Sequence, residues 1–189
     1  IRIAPDNGGG NDGVRVRLNG EDLGRFTVDS VTVYAQAGND AVKVANGVRV
    51  PTRLFGGDGN DSLEGGGGDD LLVGGAGNDS LEGGQGRDFL IGGTGADALD
   101  GGNDGDVLIA GFTAYDSDVA ALASLHAAWR EPGRTDAQRV AAMRDAVLRN
   151  GVYLGAATVG HDASGDALRG RSGTDWFWFD PARDAADDG

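Results

Sequence analysis

The chain contains no cysteine. No disulfide framework can hold a small core together, and no thiolate is available to a metal. Histidine is almost as scarce: His126 and His161 are the only two, and neither has the spacing of a zinc pair or a catalytic triad, so surface or partly packed roles are expected for both. No run of about eighteen apolar residues occurs, and no membrane-spanning helix is expected. Positive charge is in deficit. Sixteen Lys and Arg against 30 Asp and Glu leave a net charge of -14, which argues against nucleic acid and anionic membranes as partners and suits divalent cations. A start at Ile1, with neither methionine nor a signal-peptide pattern, leads to the expectation of a piece of a longer protein with other domains.

Glycine is abundant, at 36 of 189 residues, and a turn-dense β solenoid accounts for it better than disorder does. Five consecutive nonapeptides from Gly56 to Asp100 fit G-G-x-G-x-D-x-U-x, with U a large apolar residue: GGDGNDSLE, GGGGDDLLV, GGAGNDSLE, GGQGRDFLI and GGTGADALD. A sixth, GGNDGDVLI from Gly101 to Ile109, keeps the aspartate and the leucine but loses the fourth glycine. A flexible acidic linker would have no reason to hold Asp and Leu in register through all six. Glycines at positions one, two and four permit φ > 0 and close backbone approach in a tight turn. The last three residues form a short strand whose central side chain points inward, so Leu63, Leu72, Leu81, Leu90, Leu99 and Leu108 are expected to stack inside.

If each nonapeptide is half a coil, residues eighteen apart lie one layer above each other, roughly 4.8 Å away. One edge then carries Asp61, Asp79 and Asp97, and the other Asp70, Asp88 and Asp106. Stacked carboxylates at that spacing repel by about 1 to 3 kcal/mol per neighbouring pair. A cation between them is required, and oxygen ligands without usable His or Cys point to calcium. Four sites follow: Asp61/Asp79, Asp79/Asp97, Asp70/Asp88 and Asp88/Asp106. With a dissociation constant of order 10⁻⁴ M and calcium near millimolar, each contributes about 1.4 kcal/mol. A coil one leucine wide buries little, so metal is expected to supply what the core lacks.

This stretch resembles the repeats-in-toxin, or hemolysin-type calcium-binding, proteins of bacteria, whose repeats build a parallel β-roll. The resemblance implies that each ion lies between two same-edge turns, held by the position-six carboxylates and by turn carbonyls at Gly57, Gly59, Gly66, Gly68, Gly75, Gly77, Gly84, Gly86, Gly93 and Gly95. It implies a secreted or cell-surface location, and passage through a type I secretion channel unfolded, with calcium outside the cell driving folding. The family's export signal lies at the extreme C-terminus and often ends in apolar residues, whereas this chain ends DAADDG.

Degraded copies flank the run. Asn7 to Arg15, NGGGNDGVR, and Ala35 to Lys43, AQAGNDAVK, precede it, the second offering a weaker site between Asp40 and Asp61 or else an ordinary turn aspartate. Val14 to Leu18, Phe26 to Val28 and Val31 to Tyr34 read as strands, with a turn at Asn19-Gly20. His161 to Arg169, HDASGDALR, and Gly170 to Trp178, GRSGTDWFW, follow it, making Asp166 and Asp175 weaker candidate ligands.

Positions seven and nine carry a second period of eighteen. On one edge they are Ser62/Glu64, Ser80/Glu82 and Ala98/Asp100; on the other, Leu71/Val73, Phe89/Ile91 and Val107/Ile109. One sheet should face water, and the other needs a cover. The segment Asp116 to Gly151 provides one. Asp116 or Ser117 should cap a helix with Val119, Leu122, Leu125 and Trp129 on one face, ended by Glu131-Pro132-Gly133. Thr135 and Gln138 should form a capping box for a second helix striped by Val140, Met143, Val147 and Leu148 and stopped at Asn150-Gly151.

The expected fold is therefore mainly β: an N-terminal β cap with degenerate repeats (1–55), a calcium-binding β-roll (56–110), an inserted helical hairpin packed on one sheet (111–152), resumed degenerate repeats (153–180) and a frayed acidic tail (181–189). Regular spacing of the carboxylates is explained by metal loops, and no catalytic residue is expected. The expected function is a calcium-dependent folding and stabilising module of a secreted or surface protein. Alternatives are a carbohydrate- or surface-binding adhesin module using Trp176 and Trp178, or an export module at the end of a secreted hydrolase.

Overall fold

The computed structural model describes residues 1–5, 13–145 and 151–188. Its strands are β1 (Arg2–Pro5), β2 (Gly13–Leu18), β3 (Glu21–Thr27), β4 (Val31–Ala37), β5 (Ala41–Val44), β6 (Thr52–Asp58), β7 (Ser62–Gly66), β8 (Leu71–Ala76), β9 (Ser80–Gln85), β10 (Phe89–Thr94), β11 (Ala98–Asn103) and β12 (Val107–Ile109). After them come β13 (Phe112–Thr113), helices α1 (Val119–Trp129) and α2 (Asp136–Arg144), and then β14 (Val159–Gly160), β15 (Ala167–Ser172), β16 (Trp176–Trp178) and β17 (Ala185–Asp187).

Successive nonapeptides alternate between two sheets, as half-coils must. One sheet has nine strands in the order β17-β15-β11-β9-β7-β5-β1-β2-β3, the other six in the order β16-β12-β10-β8-β6-β4. Within the repeats every neighbour is parallel and eighteen residues away, as in Leu63 beside Leu81 and Leu72 beside Leu90. The leucine column fills the space between the sheets: Leu54, Leu63, Leu72, Leu81, Leu90, Leu99, Leu108 and Leu168 form one buried cluster, with Phe177 packed against it. The protein is a β-roll.

The first three strands continue the nine-stranded sheet beyond β5. β1 runs parallel to β5 but antiparallel to β2, and β2 turns back into β3 through Asn19 and Gly20, both at positive φ (51° and 84°) as a type I′ hairpin turn demands. Most of the degraded copy read over Asn7 to Arg15 lies outside the described residues. Its end, from Gly13, belongs to antiparallel β2 and not to a coil. The second copy is in phase, with β5 beside β7 and Ala41 level with Ser62.

The outer faces differ as the flanking residues require. Ser62, Ser80, Glu82 and Ala98 are exposed, whereas Leu71, Val73, Phe89, Ile91, Val107 and Ile109 are buried beneath the helical hairpin together with Leu122, Leu125, Trp129 and Met143. The cap of α1 is Asp118, whose carboxylate accepts from Ala120 and Ala121 N–H; Asp116, two residues earlier, is engaged by Thr113. The capping box of Thr135 and Gln138 is present in α2. Val147, Leu148 and Asn150 lie outside the described residues. His126, expected at or near the surface, is buried against the Phe89 ring edge, and burial followed by the charge of Arg130 drives its pKa down to about 3, so it is neutral. Among the described residues no helix is long and apolar enough to cross a membrane.

Beyond the hairpin the roll resumes without a change of register. β15 stacks on β11 and β16 on β12, with partners 69 residues apart in sequence where others are 18 apart. The acidic end, expected to fray, forms β17 beside β15, with Ala186 continuing the leucine column.

Trp129 ties the hairpin to the roll. It is fully buried, its Nε1 donates to the Gly105 carbonyl at 2.8 Å, and the Arg87 guanidinium lies 5.6 Å from its ring centre while pairing with Asp136 of α2 at 2.9 Å. Trp129→Ala is expected to destabilise the protein by about 3–5 kcal/mol, read as a lowered midpoint of thermal unfolding followed by circular dichroism. A midpoint equal to that of the parent would contradict this role for the indole.

Candidate metal centre

Each repeat turn places its aspartate with the carboxylate folded inward. The Oδ1 atom accepts the backbone N–H of the aspartate one coil earlier: Asp61 N–H to Asp79, Asp79 to Asp97, Asp70 to Asp88 and Asp88 to Asp106, each at 2.8 Å. The two sequence-derived ladders are therefore continuous hydrogen-bonded columns. Both extend further. Asp40 N–H donates to Asp61, Asp97 to Asp166 and Asp106 to Asp175, all at 2.8 Å, so all three weaker candidates are in phase. Asp184 adds a rung that the sequence did not reveal, accepting from Asp166 N–H at 3.2 Å, because its turn lacks the glycines that mark the others. Thr52 heads the second column in place of an aspartate, donating its N–H to Asp70 at 2.7 Å.

The other carboxylate oxygen has nothing. Oδ2 of Asp61, Asp70, Asp79, Asp88, Asp97, Asp106 and Asp175 is shielded from solvent and without a hydrogen-bond partner. A buried, ionised and unpaired oxygen is costly. Its surroundings are oxygen-rich. A methyl built on Gly65 would lie 2.7 Å from Asp70 Oδ2 and 2.8 Å from the Gly83 carbonyl oxygen, and the same arrangement recurs at Gly56 with Asp61 and the Gly74 oxygen, Gly74 with Asp79 and the Gly92 oxygen, and Gly83 with Asp88 and the Gly101 oxygen. At these four turns position one must be glycine because a carboxylate oxygen and a carbonyl oxygen converge where a Cβ would stand. These position-one carbonyls are oxygen donors that sequence reasoning missed. The carbonyl oxygens of Gly57, Gly59, Gly66, Gly68, Gly75, Gly77 and Gly84 lie 2.0–2.3 Å from where a methyl on the matching glycine one coil on would stand, and the φ of those glycines lies between 104° and 127°.

Position five carries a further column. Asn39 Oδ1 accepts from Asn60 N–H at 2.9 Å, Asn60 Oδ1 from Asn78 at 2.8 Å and Asn78 Oδ1 from Ala96 at 2.9 Å. The recurring Gly-Asn-Asp triplet was its signal. Asn supplies a neutral acceptor at a rung where another charge would add to the repulsion.

Burial dominates the acid–base chemistry. It pushes Asp79 up to about 6, Asp97 to about 7 and Asp106 to about 8, and raises Asp70 and Asp88, with neighbouring carboxylates adding to the effect. A hard cation reverses that balance by neutralising the charge that burial penalises. Among the described residues no three His, Cys, Asp or Glu side chains converge on one point, so a metal here draws on backbone carbonyls as well as carboxylates, a donor set that fits calcium and not zinc.

Residues 52–81 and 73–108 match the family model of the RTX calcium-binding nonapeptide repeat, with four copies. These are RTX calcium-binding nonapeptide repeats. No curated protein and no solved structure gives a significant match to the chain. The RTX segment holds the most glycine-complete turns of the roll and six of the seven orphaned Oδ2 atoms, those of Asp61, Asp70, Asp79, Asp88, Asp97 and Asp106.

Trp176 and Trp178 lie outside the matched segment. Both are half-buried, packed against the hairpin cluster, with rings 5.9 Å apart and nearly perpendicular at 89°, so they present no pair of coplanar faces for a sugar ring.

Two outcomes are expected of the RTX sites. Gly74→Ala places a methyl between Asp79 Oδ2 and the Gly92 carbonyl and should remove a calcium site without altering charge, seen as a lower stoichiometry in a calorimetric calcium titration; an unchanged stoichiometry would be inconsistent with the cradle. The second concerns pH in the absence of calcium. Carboxyls raised by burial from their ordinary value of 3.8 to about 8 keep their protons in the folded state while the unfolded chain releases them, so the calcium-free fold loses stability as pH rises from about 4 to about 8. Its folded fraction by circular dichroism should be higher at pH 5 than at pH 8, and a flat or rising profile would refute the assignment of buried, raised carboxyls.

Proposed function

We propose that the chain is a calcium-triggered folding and stabilising module, itself without catalytic residues, of a secreted or cell-surface protein. The observation that carries this reading is the row of buried Oδ2 atoms without a donor, those of Asp61, Asp70, Asp79, Asp88 and Asp97 each close to a backbone carbonyl. Without a cation the two columns repel and the roll is penalised. With one between each pair of rungs the same columns become the adhesive of the solenoid, and metal binding is converted into folding free energy.

Four ions are assigned, between Asp61 and Asp79, Asp79 and Asp97, Asp70 and Asp88, and Asp88 and Asp106. The reading divides the chain into a cap through residue 55, a roll over 56–110 that resumes over 153–180, a hairpin over 111–152 that covers the apolar sheet, and a terminal strand. Calcium is scarce inside cells and near millimolar outside them, so a module whose sites are of the extracellular affinity class would stay unfolded before export and fold after it.

Calcium titration followed by far-ultraviolet circular dichroism tests the reading. Addition of calcium to chelator-treated protein should produce the β signal. Asp79→Ala, which removes a rung shared by two sites, should shift the midpoint to higher calcium than Asp61→Ala, whose other neighbour is Asp40 in a turn that lacks the first two glycines. A chain equally folded and equally heat-stable in chelator and in calcium would end the proposal.

A further inference from the structure

The helical excursion leaves the roll from inside a turn. Ala110 and Gly111 occupy the first two positions of the turn that stacks on Gly92 to Asp97. Gly93 N–H donates to the Gly111 carbonyl at 3.1 Å, and a methyl built on Gly92 would run into Asp97 Oδ2 and the Ala110 carbonyl, the same convergence that marks Gly65, Gly74 and Gly83. The chain then departs. Its ends are held together by a short antiparallel stem, with Phe112 of β13 level with Gly160 of β14 and Thr113 with Val159. On return the remaining positions of the same turn are filled from beyond the helices, so that Asp166 lands on its rung beneath Asp97.

The splice alters one bond. In the intact turns of this edge the position-four N–H donates to a position-three carbonyl of the next coil: Gly59 to Ala76 at 2.7 Å and Gly77 to Thr94 at 2.8 Å. At the split turn Gly95 N–H donates to a side chain, Asp162 Oδ2, at 2.5 Å, and Asp162 Oδ1 accepts from Ser164 N–H at 3.0 Å. A carboxylate thus stands where the intact turns of this edge use a neutral carbonyl, as Asp104 does for Gly86 on the other edge. It lies beside Asp97, which is 3% exposed and whose Oδ2 has no partner. The turn therefore holds an additional negative charge and an unanswered buried oxygen, with Asp97 inside the matched repeats and Ala110 and Asp162 beyond them.

We propose that the split turn is a further calcium site, closed by Asp97 Oδ2, the Ala110 carbonyl and the Asp162 carboxylate, so that one ion clamps the base of the helical excursion to the roll. The proposal rests on the reading of the roll as calcium-dependent. It goes beyond it in giving Asp162 a ligand's role and in making the ion a tie between the outgoing and returning chain.

Calcium alone is titrated into the full chain, with binding followed by calorimetry and the stem at Phe112 to Ala114 and Val159 to Gly160 followed by amide hydrogen exchange. Asp162→Asn keeps an acceptor for Gly95 N–H and removes the charge. It is expected to weaken one binding step by about tenfold and to abolish calcium-induced protection of the stem, leaving the other steps and the saturated circular dichroism spectrum as in the parent. Asp79→Asn is the control for the ladder sites. Parent-like binding and stem protection in Asp162→Asn, alongside a weakened Asp79→Asn, would overturn the split-turn site and leave the module reading standing. A parent chain that binds no calcium would overturn both. Should Asp162→Asn fail to fold, the parent decides: a stem whose exchange does not respond to calcium rules the clamp out.

Discussion

Carboxylate pressed against carboxylate along two edges is the constraint from which the remaining architecture follows. Each aspartate uses one oxygen to hold the backbone of the coil before it and leaves the other buried and unanswered. The first interaction sets the register of the solenoid rung by rung. The second makes the register conditional on an ion. Glycine at position one is the geometric price of that design, because carboxylate and carbonyl meet where its side chain would be. A fold whose interior is a single leucine column between two sheets has little apolar burial with which to override such a penalty.

The roll nevertheless has a second source of stability on one side only. Its six-stranded sheet carries apolar residues on both faces, and the helical hairpin lies on the outer one. Trp129 and Arg87 join this cover to the second column of turns, through the Gly105 carbonyl and through Asp136. The nine-stranded sheet has no such cover and instead shows water its Ser and acidic side chains, some paired across coils, as Lys43 is with Glu64 and Asp100 with Arg171. The two edges are thus unequal. One is buttressed by helices, and the other depends on its turns alone.

Much of this was legible in the sequence because the nonapeptide repeats both its backbone demands and its chemistry. Period nine gave the half-coil, period eighteen the columns, and the alternation of polar and apolar flanks gave the uncovered sheet and its lid. What escaped reading lacks periodicity. Asp184 and β17 follow from tertiary stacking on β15, which the alanine-rich end does not announce. The position-one carbonyls are backbone atoms, invisible to residue identity. The helix start fell at Asp118 because Asp116 found a partner in Thr113, a competition between two capping-competent aspartates that spacing cannot decide. The stem of β13 and β14 is too short to leave a pattern.

That stem has an evolutionary corollary. The outgoing and returning chains touch, with the Gly160 carbonyl lying against Gly111, while the leucine column passes from Leu99 to Leu168 as though nothing intervened. A scaffold with such a port can accept passengers of almost any length, provided their termini are neighbours, without disturbing its own winding. Helices occupy the port here, and the surrounding solenoid would tolerate replacement of that cargo so long as the exposed apolar sheet was again clothed.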